Sequence, residues 1–334
     1  MAFAYGADAA YLGGEQFGLR AFGGNFSQDE MRTAVRLAHA SEKKIYVTVN
    51  VFPHNEDIAD LPDYLRFLAD AGVDGVLVAD LGVFMLCRET VPDLPVHIST
   101  QANNVNWRTV DAWQKLGAAR VVLARELSRE EIREIRRNTD VELEMFVHGS
   151  MCISYSGRCL LSNYFTGRDA NRGSCAQSCR WKYDLYDMPF GQERKSLKGE
   201  VPEEFSMSAV DMSMIDRMPD MIENGVDSLK IEGRMKSIHY VSTVTNCYKA
   251  AVNAYLESPE KFEAIKQDLV DEMWKVAQRE LATGFYYHTP TENEQLFGAR
   301  RKIPEYKFVA EVVAYDAESQ TATIRQRNVI HEGD

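Results

Sequence analysis

No apolar run in this chain approaches the roughly 18–20 residues that a membrane-spanning helix requires, so no membrane segment is expected. Positive charge is also in short supply. Against 50 Asp and Glu stand 38 Lys and Arg, a net charge of −12. Such a balance repels phosphate backbones on average, so any contact with nucleic acid has to come from a local basic patch. No G-x-G-x-x-G follows the first strand, which removes support for a dinucleotide fold. There is no H-E-x-x-H zinc motif, and no Ser/His/Asp or Cys/His set whose spacing marks a nucleophile. Low-complexity tracts and fixed-period helical repeats are absent too. Cysteine is scarce, at six in 334 residues, and no secretory segment precedes them. Disulfides are therefore disfavoured, and a cytoplasmic enzyme is the expectation.

What is present is an ordinary globular composition, 45% apolar and 26% charged, in a chain long enough for one large α/β domain and a smaller appendage. Four of the six cysteines fall in one stretch, Cys152, Cys159, Cys175 and Cys179, spaced C-x6-C-x15-C-x3-C. Cys87 and Cys247 lie far away in apolar surroundings. Thiolates are soft ligands suited to iron–sulfur clusters and to zinc, and four of them complete either site. Gly157, Gly167 and Gly173 let the intervening backbone fold around a small object, which a chance grouping of buried thiols would not need.

Around this stretch strands alternate with helices. Short runs rich in β-branched and apolar residues begin at Ala9, Ile45, Gly75, Pro95, Arg120, Leu143 and Asp227. Between them, Ser27 with Glu30 forms a capping box and Ser128 caps a second helix, while Gly72, Gly117 and Gly225 end helices. This is the pattern of βαβ units and a parallel sheet. Seven strands, with an eighth expected ahead of residue 1, predict a (β/α)8 TIM-barrel-like domain over residues 1–240, with a Cys-rich insertion at 150–182; a doubly wound open sheet is the alternative. A helical region and connector are expected over 241–304. Two strands joined at Ala317–Gln320 would begin a small β-domain over 305–334.

In parallel barrels the site forms where strands exit. Those ends are polar here: Asn50 and His54, Asp80, Gln101, Asn103 and Asn106, Arg125 and Glu126, His148, and Lys230, Glu232 and Arg234. Arg125, Glu126, His148 and Glu232 are the candidate catalytic groups, with a supporting role beside a metal also open to His148. Arg20, Asn50, Gln101, Asn103, Lys230 and Arg234 are the candidate substrate-binding groups. Arg20, Arg125, Lys230 and Arg234 suit a carboxylate or phosphate. Arg158, Arg168, Arg172, Arg180 and Lys182 cluster about the cysteines, either compensating thiolate charge or forming a landing patch for nucleic acid.

The segment EMFVHGSMCISYSGRCLLS resembles the signature of peptidase family U32, the collagenase-like group. NRGSCAQSCRW, SLKIEGRMKS, YGADAAYLGG, YVTVN and STQANNVNW fit the same family, so the resemblance covers nearly the whole chain. The C-x3-C pair followed by Arg-Trp is most similar to the branch that makes 5-hydroxyuridine at the tRNA wobble position; other branches hydroxylate ribosomal RNA or a quinone precursor. The resemblance implies a 4Fe-4S cluster on Cys152, Cys159, Cys175 and Cys179, with zinc as the alternative. It also implies prephenate, a small dicarboxylate, as hydroxyl donor and the tRNA anticodon loop as partner. Family members open with a strand and a Pro-Ala-Gly turn and carry a longer β-domain, so a fragment or a misplaced start is expected. Proteolysis, and a zinc-stabilised RNA-binding module without catalysis, are the competing functions.

Overall fold

The computed structural model describes residues 1–19, 23–184, 186–187, 195–196, 205–291, 294–296 and 306–333. Strands β1 (Ala9–Leu12), β2 (Lys44–Val49), β3 (Gly75–Val78), β4 (Val96–Ile98), β5 (Arg120–Val122) and β6 (Glu142–Ser150) pair in chain order, each parallel to the last. A short antiparallel pair follows, β7 (Tyr186–Asp187) with β8 (Lys195–Ser196). Next, β9 (Asp211–Ser213) runs antiparallel to the exit of β6, and β10 (Ser228–Ile231) runs parallel to its body. A two-residue strand from the expected connector, β11 (Leu281–Ala282), joins β9. The chain closes with the hairpin β12 (Ala310–Asp316) and β13 (Thr321–Gln326), where the two terminal strands were expected. It touches the rest through its lead-in, where Phe308 stacks on His239 and Lys275 lies over Tyr306.

The helices are α1 (Gln28–His39), α2 (Asn55–Ile58), α3 (Leu61–Asp70), α4 (Leu81–Thr90), α5 (Trp107–Leu116), α6 (Arg129–Asn138), α7 (Leu161–Thr166), α8 (Met218–Glu223), α9 (Ile238–Glu257) and α10 (Pro259–Val276). Their starts are written in the sequence. Ser27 with Glu30 and Ser128 with Glu131 form reciprocal capping boxes, and Ser258 caps α10 with Pro259 in its first turn. Among the described residues no helix is long and apolar enough to cross a membrane.

Strand alternation divides the molecule into two cores. Outward-facing Ile45, Val47, Val76, Val78, Val96, Ile98, Leu143 and Met145 pack against the helices in one large cluster. Inward-facing Tyr46, Leu77, Val122 and Phe146 form a second, small cluster with Ala9 and Tyr11. Seven parallel strands with helices outside and side chains filling the interior make the domain TIM-barrel-like. Among the described residues no ladder joins β10 to β1. Instead Tyr11 crosses the gap, its hydroxyl donating to Glu232 Oε2 at 3.0 Å while the Lys230 ammonium sits 4.6 Å over its ring.

The interior also holds charge. Glu144 on β6 accepts from Lys230 Nζ at 2.6 Å, Arg120 Nη1 at 3.0 Å and Ser228 Oγ at 2.8 Å, tying β6 to β5 and β10. Burial alone would raise its carboxyl, but the charges of Lys230 and Arg120 outweigh that and hold it down at about 2. A carboxyl depressed below its unfolded value stabilises the fold above pH ~4.5 and loses that contribution as pH falls toward 2. Glu144→Gln keeps the shape but leaves the buried Lys230 without its counter-charge and Arg120 with Glu142 alone. It should cost about 3 kcal/mol in urea unfolding at pH 7, and the gap to the unaltered protein should shrink as the pH is lowered through 4 toward 2.

Candidate functional site

The strand exits open onto a cavity of about 790 Å³. Its floor is the inward face of the strands: Tyr11, Thr48, Asn50, Ser99, Gln101, Phe146 and Lys230. Asn50 Nδ2 donates to Ser99 Oγ at 3.2 Å and to Gln101 Oε1 at 2.7 Å, fixing three exits relative to one another. Arg125 lies 3.8 Å over the Phe146 ring. The charge of the wall is one-sided. Arg125, Lys230 and Arg234 on the barrel side and Arg168, Arg180, Lys236 and Arg279 on the other face one carboxylate among the described lining residues, Glu232. In a protein of net charge −12, so cationic a lining favours anions over cations.

The roof is the cysteine segment, which leaves β6 at Gly149. That residue has φ +115°, and a Cβ there would lie 2.8 Å from Glu232 Cβ, so glycine lets β6 turn out against the end of β10. The segment is then fastened to the barrel rim. Phe52 N donates to Asn171 O at 3.2 Å, Arg172 Nη2 to Asp57 Oδ1 at 2.9 Å, and Asn103 Nδ2 to Ser156 O at 3.1 Å. Cys152, Cys159, Cys175 and Cys179 all line the cavity, and all are free thiols. Burial raises the Cys179 thiol; the Arg180 charge opposes this, while Cys152, Cys175 and Cys159 add to it, so those three lie within electrostatic reach of Cys179. Gln177 N donates to Cys175 Sγ at 3.4 Å, and Ser154 Oγ lies 3.7 Å from Cys152 Sγ. Among the described residues no three His, Cys, Asp or Glu side chains are placed to hold a single metal ion.

A profile of peptidase family U32 matches residues 1–296. The chain belongs to that family. It is 48% identical over 330 residues to tRNA hydroxylation protein P1 of Bacillus subtilis, covering 99% of this chain and 78% of that one. It is 38% identical over 292 residues to tRNA hydroxylation protein P of Escherichia coli, covering 75% and 64%. To a 23S rRNA 5-hydroxycytidine synthase of Escherichia coli it is 36% identical over 258 residues, covering 77% and 38%. The U32 match stops short of the β12–β13 hairpin.

Of the site residues expected from sequence, Arg125, Glu232, Asn50, Gln101, Lys230, Arg234 and the four cysteines come together around the U32 cavity. Arg20 lies outside the described residues. Three others are engaged elsewhere. Asn103 holds the roof, its amide donating to Thr100 O, Gln101 O and Ser156 O and accepting from Arg158 Nε. Glu126 folds back on the backbone amides of Arg125 and itself, and burial raises its carboxyl. His148 is buried between the rings of Tyr240 and Tyr248 on α9, away from the cavity lining. Burial holds its imidazole down at about 4, so it is neutral at pH 7. The cause is a register shift: Lys230 pairs with Phe146 but Ile231 with His148, and this bulge swings His148 out of the alternation. Asp80 and Asn106, also in the polar ring, cap α4 and α5.

Sequence reading missed Asp211, Lys236 and Arg279. Asp211 is buried on β9, paired with Arg279 and 3.8 Å from Lys236 Nζ, and Arg279 Nη1 also donates to Ser150 Oγ at 3.2 Å. The three come from distant segments that only the antiparallel pairing of β9 with β6 brings beside the cysteines. The thiols divide sharply by environment, since burial pushes Cys87 up to about 12 and Cys247 up to about 11. In metal-free protein at pH 8, a disulfide-exchange reagent should titrate four thiols per chain while folded, Cys179 last among them. The remaining two should react only on addition of denaturant.

Proposed function

We propose that this U32 chain hydroxylates RNA, forming 5-hydroxyuridine at the tRNA wobble position, with prephenate as hydroxyl donor and a 4Fe-4S cluster on Cys152, Cys159, Cys175 and Cys179. The observation that carries the reading is the placement of four free thiols along the wall of a cavity whose described lining also holds seven cations. The names of the tRNA and rRNA hydroxylation relatives support the reaction class.

The donor set fits the cluster: four cysteine thiols line one cavity wall, the complement that a 4Fe-4S cluster needs and that also completes a zinc site. N–H and O–H groups against Cys175 and Cys152 are the contacts by which a protein sets a cluster's potential. A bound cluster supplies one-electron or Lewis-acid chemistry at the roof of the cavity.

The chain's own residues account for the rest. Lys230, Arg125 and Arg234 present charge to the carboxylates of a small diacid, and the floor of Asn50, Ser99 and Gln101 orients its polar edge. The insertion covers the cavity and limits water. A uridine reaches such a depth only when turned out of its stack, which is cheap in an anticodon loop whose bases are already partly unstacked. Proteolysis has less support: the described lining residues include no histidine to activate a serine or cysteine.

Protein purified without oxygen should be brown and carry about four irons per chain. In a deletion strain, Cys175→Ala should abolish both the colour and the 5-hydroxyuridine seen by mass spectrometry of tRNA nucleosides. Colourless zinc-loaded protein, or modification that persists with the variant, would overturn the proposal.

A further inference from the structure

Helix α7 is built inside out. Its one buried residue is a serine, Ser162, whose Oγ accepts from Ala176 N at 3.0 Å inside the insertion. Its apolar side faces solvent: Tyr164 is 83% exposed, Phe165 53%, and the preceding Leu160 50%. A surface helix ordinarily buries its rings and shows its hydroxyls, so stability of this chain alone does not explain the arrangement. The rings are also organised. Phe165 lies 6.1 Å from both Trp181 and Tyr183, tilted by about 40° from each. Trp181 in turn lines the cavity, so the patch runs without a break from the open surface to the site.

The insertion that carries these rings is basic: Arg158, Arg168, Arg172, Arg180 and Lys182 belong to it, with Asp169 as its acidic member and Asp184 just beyond. Asp169 is occupied in capping a short helical turn, where its Oδ1 accepts from Asn171 N at 2.7 Å. Arg158 is steadied by the Asn103 amide oxygen and the Phe52 ring, and Arg180 donates to the Gln177 amide oxygen. These contacts orient both guanidinium groups on neutral acceptors; Arg180 also feels Asp211, Cys179 and Cys152 on the cavity side, so its charge bridges the cavity and the patch.

We infer that Tyr164, Phe165 and Trp181 form a stacking platform for a single-stranded RNA loop, with Arg158 and Arg180 holding its phosphates. The inference rests on the RNA reading above and names the surface by which that substrate docks. Exposed rings interleaved with cations bind unpaired bases by their faces, while a duplex keeps those faces hidden. The platform thus hands a loop to the cavity, with Trp181 the last ring before it.

The test is fluorescence anisotropy of labelled RNA on the anaerobically purified protein. The probes are a tRNA anticodon stem–loop with an unmodified wobble uridine and a blunt duplex of equal length. The double variant Tyr164→Ala, Phe165→Ala should bind the stem–loop at least about tenfold more weakly, with an unchanged salt slope and melting temperature. Trp181→Phe should bind like the unaltered protein, and Trp181→Ala should not. Arg158→Gln with Arg180→Gln should instead flatten the salt dependence. The duplex should bind weakly to every variant and to the unaltered protein. If the unaltered protein binds the stem–loop and the ring variants bind it equally well, the platform is wrong and the RNA reading stands. Failure of the unaltered protein to bind any RNA would remove both. If sedimentation shows a dimer that Tyr164→Ala dissociates, the patch is a contact between copies of this chain and the platform falls.

Discussion

Glu144 carries a negative charge into the interior of the barrel, and two cations are buried because of it. Lys230 and Arg120 would each face a desolvation cost of several kcal/mol in that position. With the carboxylate between them, 6% exposed, the three charges and Ser228 Oγ satisfy one another across β5, β6 and β10. The arrangement does more than hold strands together. It puts an ammonium directly beneath the cavity, flanked by the faces of Tyr11 and Phe146 at 4.6 and 5.5 Å, where it faces an entering anion with its solvation already replaced by fixed partners. The polar floor of the site is therefore a product of how the barrel is filled.

The cysteine segment depends on the same strand. β6 supplies Glu144 and Phe146 to the interior, bulges at Val147, turns at Gly149 and delivers Cys152 to the roof. At this exit it is clamped on both sides, by β10 through Glu232 N to His148 O at 3.0 Å and by β9 through Met214 N to Val147 O at 3.0 Å. His148, displaced from the interior by the bulge, fills the space under α9. There the Tyr248 hydroxyl donates to Val147 O at 2.7 Å and stands 3.4 Å from His148 Nδ1. A neutral histidine packed between two tyrosines is a spacer that keeps the exit of β6 in place.

Much of this was legible in the sequence because the signals are local. Short runs rich in β-branched and apolar residues mark β2, β3 and β6, serine with glutamate three residues on marks α1 and α6, and the cysteine spacing marks the roof. What was not legible depends on single-residue parity or on distant pairing. Counting by twos from Phe146 puts His148 in the barrel, and one bulged residue reverses that. Asp80, Asn103 and Asn106 are polar residues past strand ends, as site residues are, but their side chains serve the helix starts and the roof. Asp211 and Arg279 lie 68 residues apart, and neither stands in a pattern that announces the other. The inverted face of α7 was hidden because six residues are too few to show a period.

Seven cations and one carboxylate line the cavity among the described residues, and three of those cations already have partners beside it, Arg279 and Lys236 on Asp211 and Lys230 on Glu144. While the thiols are protonated the opening is positive and attracts anions; ionised thiols draw that charge down. The remainder of the surface is acidic enough to bring the whole chain to −12, so that attraction is confined to one opening and repelled elsewhere. An acidic protein with a cationic mouth discriminates by place: a polyanion gains nothing by lying along its flanks and gains contacts only by presenting a feature narrow enough to approach the roof. A loop meets that requirement better than a duplex, and the electrostatics alone favour the shape that the exposed rings of the insertion would stack upon.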